Sequence, residues 1–162
     1  MFASQALLLE GYGDRIAAPM VAEKLGFHLD AEGVTVVDCG GKAGIELLIR
    51  VCHALEIPFL VLHDEDVWSV EGIAEGEKRQ KQERENKEEQ DKNRKIKEAI
   101  GNENALFVLK PSLEPLLGIS RDARDKPRRI AEALEMIDMS KPSAGLNPLV
   151  KAVEAVIQGA HT

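Results

Sequence analysis

Four short apolar runs recur along the chain, each giving way to polar residues: "QALLL" (5–9), "VTVVD" (34–38), "IPFLVLHD" (57–64) and "ALFVLK" (105–110). Their length and β-branched content predict buried strands. Between the first two, residues 14–26 place Ile16, Met20, Val21 and Leu25 at helical spacing, with Asp14 suited to the N-cap, Gly26 to the C′ position, and Pro19 in or near the first turn. A second helix is expected at 43–55, with Ile45, Leu48, Ile49, Cys52 and Leu55 on one face, and further helices at 126–138 and 145–158. Strands that are apolar throughout and alternate with amphipathic helices argue for an α/β fold, a mostly parallel four-stranded sheet covered on both faces.

The alternation breaks at residues 75–98, "EGEKRQKQERENKEEQDKNRKIKE", where nothing apolar occurs from Glu75 to Lys95. Opposite charges at i,i+4, as in Lys81–Glu85, Glu83–Lys87, Glu88–Lys92 and Asp91–Lys95, support a helix by a few tenths of a kcal/mol per pair. A protruding or partly disordered charged helix is the plainer expectation. An arm that tracks a phosphate backbone is the sharper one, although interleaved acids weaken its field.

Composition narrows the class without naming a function. The 162 residues are enough for one domain with its own core, at 44% hydrophobic and 30% charged. A net charge of −7 and a pI near 5.2 show no overall basic character, which counts mildly against a nucleic-acid partner. Cys39 and Cys52 lack CxxC spacing and suit reduced thiols. The opening "MFASQALLLEGYGD" has no basic n-region, and no apolar run approaches membrane-spanning length. A soluble cytoplasmic domain with no membrane partner is expected.

The chemistry gathers where the strands run out. Glu10 follows the first strand, and Asp64, Glu65 and Asp66 end the third, more than fifty residues later. In parallel α/β sheets ligands collect at the carboxyl ends of the strands, so these acids can meet in space. Crowded carboxylates need a cation or protons to neutralise them. A hard divalent ion such as Mg²⁺ takes oxygen ligands of this kind. DxD alone is weak evidence; "strand–Glu-Gly" paired with "strand–DxD" is much more specific.

That pairing resembles the Toprim domain, the metal-binding module of topoisomerases, DnaG-type primases and several nucleases. The similarity is greatest to the Toprim region of OLD-family (overcoming lysogenization defect) nucleases. It runs through "LLLEGYGDRIAAPMVAEKLGFHLDAEGVTVVDCGGKAG", "IPFLVLHDED", "FVLKPSLEPLLG" and "RDKPRRIAEAL". The family opening usually carries a second glutamate four residues after the first, where this chain has the shorter Asp14. The resemblance implies a single Toprim-like (Rossmann-like) domain over 1–162, with a charged helical insertion at about 72–101. It implies Glu10, Asp14, Asp64, Asp66 and Glu114 as ligands of Mg²⁺ or Mn²⁺, with two ions as the family expectation. Glu10 and Lys126 would be catalytic, the lysine sitting in "RDKP" where the family carries one. The implied activity is metal-dependent endonuclease cleavage of DNA phosphodiester bonds. Family members of the OLD type usually carry an ATPase domain, so an ATPase domain or subunit is an expected partner. Five acids exceed what one ion needs, which suits a two-metal mechanism, and Lys126 would meet charge building on the phosphate oxygens.

Each residue keeps a plainer reading. Glu10-Gly11 can be a turn, Asp14 a cap, Glu114 an acid favoured early in a helix, and Lys126 a surface lysine. Glu65 is expected to point away from the site, and Trp68 to pack. "GGKAG" (40–44) lacks GxxxxGK[ST], so its glycines read as a tight turn near the site, with Lys42 a candidate substrate contact. His63 is expected to point away from Asp64 by strand alternation. The competing functions are a non-catalytic Toprim module that binds nucleic acid or a partner, a Toprim nuclease for structured RNA, and a phosphoryl-accepting receiver domain. A receiver carries a lone aspartate on its third strand, against the DxD found here. The oligomeric state is not legible.

Overall fold

A computed structural model describes residues 5–160. The strands β1 (Gln5–Leu9), β2 (Val34–Asp38), β3 (Phe59–Asp64) and β4 (Leu106–Leu109) form one sheet of order β2-β1-β3-β4, and every pairing is parallel. The helices are α1 (Tyr12–Lys24), α2 (Lys42–Ala54), α3 (Glu77–Ile100), the single turn α4 (Leu113–Leu116), α5 (Lys126–Met136) and α6 (Asn147–Ala160). The expected α/β architecture is therefore present, and the sheet among the described residues is wholly parallel.

Strand alternation sorts the apolar side chains into two cores. Leu7, Leu9, Leu60 and Leu62 face α1, α5 and α6, joining Ala18, Val21, Ile130, Leu134, Leu149 and Val153. Ala6, Leu8 and Val61 face the other way, onto Ile45, Ile49 and Cys52 of α2 and Ile96 and Ile100 of α3. Burial on both faces is why these strands read as continuous apolar runs.

Several local expectations need correction. Gly11, not Asp14, is the N-cap of α1; Asp14 lies within its first turn and is 4% exposed. Pro19 falls in the middle of α1 rather than near its start. Its missing N–H leaves the carbonyl of Arg15, an exposed residue, without its helical donor. Leu55 closes α2 but is exposed, because it lies past the last turn that faces the sheet. Ile57 and Pro58 precede β3.

The charged segment departs furthest from the protruding arm. It forms a 24-residue helix that ends at Gly101 in a left-handed C-cap. Surface pairs such as Lys81–Glu85 and Asp91–Lys95 form, and Arg94 bridges Asp91 and Glu98. One face does not meet water alone. Gln82, Asn86, Glu89, Asn93, Ile96 and Ile100 follow one another at three- and four-residue steps, which places them on a single stripe. Ile96 and Ile100 enter the core, and Asn86 and Asn93 upstream hydrogen bond to the loop that follows β3. Asn86 accepts the Trp68 N–H at 2.9 Å and donates to the Trp68 carbonyl at 2.7 Å, while Asn93 donates to the Glu65 carbonyl at 2.7 Å.

Candidate metal centre

The carboxyl ends of β1 and β3 are adjacent because the two strands pair in parallel register, Leu9 beside Leu62. Glu10 thus reaches across to β3, where its Oε2 accepts the Asp64 backbone N–H at 3.0 Å. Asp64 in turn accepts the Leu113 N–H through Oδ1 at 3.0 Å, so its carboxylate holds the first residue of α4. Glu114 is thereby brought beside the same opening. Glu10, Asp14, Asp64 and Glu114 line one cavity of about 190 Å³, with Gly11, Tyr12, Gly13 and Leu113 completing its wall. A larger hollow of about 350 Å³ beside Arg15, Glu23, His28 and Asp30 lacks this convergence of strand-end carboxylates.

Asp66 occupies a different position. It adopts a left-handed backbone, φ 57°, and donates its N–H to the Pro111 carbonyl at 2.8 Å. Its carboxylate meets Lys42 at 3.0 Å instead of lining the cavity. Lys42, the sequence candidate for substrate contact, has a side chain only 3% exposed. Its ammonium also reaches Glu89 of α3 at 2.7 Å and the Glu65 carbonyl at 3.3 Å. The glycines around it serve this placement. Gly40 and Gly41 take φ values of 68° and 110°, and a Cβ on Gly44 would stand 1.8 Å from the Cys39 carbonyl oxygen.

Glu65 turns toward Lys110 at 3.5 Å, and Lys126 pairs with Glu114 at 3.2 Å. His63 is buried with Nδ1 2.7 Å from the Asp64 carbonyl oxygen, and burial pushes its pKa down to about 4. Arg121 lies over the Trp68 ring, 4.8 Å from its centroid, a cation–π contact no sequence pattern announced. Glu89, Asn86 and Asn93 were also missed. Their signal was the amide stripe leading into Ile96 and Ile100.

The electrostatics reflect crowding. Burial pushes Glu10 up to about 7, with Lys42 opposing and Asp66 adding to the rise. Burial, then the charge of Glu10, raises Asp14 well above the usual carboxylate range against a backbone hydrogen bond from Gly11. Asp64 is raised further, by burial first and then by Asp14, Glu10 and Asp66. Burial would lower Lys42, but its bonds to Glu89 and Asp66 and the charge of Glu10 hold it above its ordinary value.

Among the described residues, no three His, Cys, Asp or Glu side chains are turned so as to enclose one metal ion. The hydrogen bonds account for that: Glu10 and Asp64 are drawn to backbone N–H groups, Asp66 to Lys42 and Glu114 to Lys126. The donor set still fits a hard divalent cation. Three half- to fully buried carboxylates share one neighbourhood, and a cation would remove the repulsion that now favours their protonation.

A parallel 2-1-3-4 sheet with acids assembled at the carboxyl ends of its two central strands is the arrangement that the Toprim resemblance implies. Residues 1–66 match the family model described as "Overcoming lysogenization defect protein-like, TOPRIM domain". The chain is 54% identical over 156 residues to an OLD nuclease of Thermus scotoductus, covering 96% of this chain and 29% of that protein. Two solved structures share the fold: the C-terminal region of the Burkholderia pseudomallei OLD protein (TM-score 0.62, 19% identity, 97% of this chain and 100% of that one) and that of the Xanthomonas campestris pv. campestris OLD protein (0.60, 17%, 98% and 94%). The chain is thus similar in sequence to the OLD-like Toprim family and in fold to the C-terminal regions of OLD proteins. No helix among the described residues is long and apolar enough to cross a membrane.

Proposed function

We propose that this chain is a divalent-cation-dependent endonuclease module that hydrolyses DNA phosphodiester bonds. The observation that carries the proposal is the convergence of Glu10, Asp14, Asp64 and Glu114 on one cavity, three of them with protonation favoured by burial and mutual repulsion. The 54% identity to a protein named OLD nuclease supports it. Bound Mg²⁺ or Mn²⁺, two ions in the full mechanism, would activate a water and stabilise the leaving oxygen of a phosphodiester.

The chain's own residues divide the work. Glu10, Asp14 and Asp64 would hold the cation, with Glu10 fixed by its bond to the β3 end. Asp66 and Glu114, now paired with Lys42 and Lys126, would complete the acid set. Lys126, already at the cavity rim against Glu114, sets its ammonium toward the non-bridging phosphate oxygens.

Residues 1–162 form one Toprim domain in this reading, with α3 and its flanks at about 72–101 as an insertion. The chain spans 29% of the Thermus protein, so an ATPase domain or subunit is a partner by proposal. Two free cysteines fit a cytoplasmic setting. The test incubates the chain with supercoiled plasmid and with structured RNA, under Mg²⁺, Mn²⁺ or EDTA, beside Glu10→Ala. Metal-dependent plasmid nicking that disappears in the variant is expected. Cleavage of RNA alone would reassign the substrate, and cleavage of neither would leave a non-catalytic binding module.

A further inference from the structure

Lys42 is a buried cation that the chain itself supplies beside this centre. An ammonium has three donors, and here three acceptors surround it: Asp66 Oδ2 at 3.0 Å, Glu89 Oε2 at 2.7 Å and the Glu65 carbonyl at 3.3 Å. Its side chain is 3% exposed, so no donor is left over for solvent or substrate. The clamp is built from three separate elements. The α2 N-terminus delivers Lys42 through the Gly40-Gly41 turn, the β3 loop delivers Asp66, and α3 delivers Glu89. Asn93 holds the same Glu65 carbonyl at 2.7 Å, which fixes the loop against α3.

We propose that Lys42, clamped by Glu89, is a resident counter-cation that withholds Asp66, so that the free chain binds one divalent ion and a second site opens only when Lys42 is displaced or removed. This rests on the metal-centre reading above and deepens it. Glu10, Asp14 and Asp64 carry no lysine partner within salt-bridge distance, whereas Asp66 and Glu114 each have one. The first three therefore remain for one ion. The insertion helix gains a specific role, since Glu89 lies on α3 and faces the centre instead of solvent.

Titration of the 162-residue chain with Mn²⁺, by calorimetry and by the electron paramagnetic resonance of free Mn²⁺, tests the idea. One ion per chain is expected for the wild type and for Lys42→Arg, and two for Lys42→Met. Two ions in the wild type, or one in a Lys42→Met chain with unchanged circular dichroism, overturns the proposal while leaving the metal centre in place. Should Lys42→Met not fold, Asp66→Asn decides. It is expected to keep one ion with affinity changed by no more than about threefold, under the ~1.4 kcal/mol of a tenfold change. Loss of that ion overturns the counter-cation role. No Mn²⁺ uptake by any of these chains overturns the metal-centre reading itself, and this proposal with it.

Discussion

Glu10 Oε2 accepts the backbone N–H of Asp64 at 3.0 Å, so the acid that ends β1 is tied to the strand end that carries the DxD. The bond fixes Glu10 across the cavity from Asp14 and Glu114, yet it also crowds carboxylates that repel one another. Asp64→Asn keeps an oxygen for the Leu113 N–H and replaces a carboxyl with a group that cannot ionise. We expect the metal-free Tm of this variant at pH 8 to equal or exceed that of the wild type. The wild-type Tm gain in Mg²⁺ or Mn²⁺, worth about 2.7 kcal/mol at a hundredfold excess over Kd, should be absent. Thermal scans with EDTA and with metal check both halves.

The same crowding predicts how stability follows pH. Glu10, at about 7, and the still higher Asp64 hold protons in the folded chain that the unfolded chain releases near pH 4. Their contribution is fully present below about pH 4 and is lost as pH rises through 7 and beyond. His63 acts oppositely: lowered to about 4, it removes stability as pH falls from about 6.5 toward 4. Between pH 6.5 and 8, below the range where the buried thiols and Lys42 act, the carboxylates dominate. In EDTA the urea midpoint should fall between pH 6.5 and 8, and fall less in Asp64→Asn. Equal slopes in the two chains would refute the assignment.

Docking of α3 depends on few residues. Ile96→Ala, at a position 1% exposed, should cost about 2–5 kcal/mol in urea unfolding. Asn86→Ala leaves both backbone groups of Trp68 without their side-chain partner and should cost about 1–3 kcal/mol. Lys81→Ala, at a solvent-exposed position beside the docked stripe, should change stability by less than about 0.5 kcal/mol. Three similar small effects would mean the helix is not docked as described.

Gly44 sets how closely α2 approaches the end of β2. A methyl group there would meet the Cys39 carbonyl at 1.8 Å, too close for side-chain adjustment to relieve. Gly44→Ala is expected to cost about 1–3 kcal/mol, as overpacking does, and, by displacing Lys42 from Asp66, to raise Mn²⁺ uptake above one ion per chain. Chemical denaturation and Mn²⁺ titration of one preparation read out both.

Lys126 separates binding from catalysis. It contacts Glu114 but offers no ligand oxygen. Lys126→Ala should retain Mn²⁺ uptake while lowering kcat by about 10²–10³, the effect of removing one transition-state donor. Cleavage at the wild-type rate would remove it from the mechanism.

Local pattern sufficed for the strands and most helices. Each strand is apolar on both faces and each covering helix keeps an apolar stripe, signals that lie within a few neighbouring residues. The positions of Glu10 and Asp64 at adjacent strand ends followed from the same alternation. Asp14 as a cap and Pro19 in the first turn misread where α1 begins, because Gly11 starts the helix without any side-chain cap.

The amino-acid sequence alone thus determined a parallel α/β sheet with acids at its carboxyl edge, since burial and strand direction are written in hydrophobic periodicity. Only the tertiary structure decided how those acids are used. Lys42 meets Asp66 and Glu89 across 24 and 47 residues of chain, and Lys126 meets Glu114 across 12. Ion pairs between distant elements have no period to read. For the same reason a helix without apolar residues over most of its length looked solvated, although its amides and Glu89 hold the loop of the metal centre.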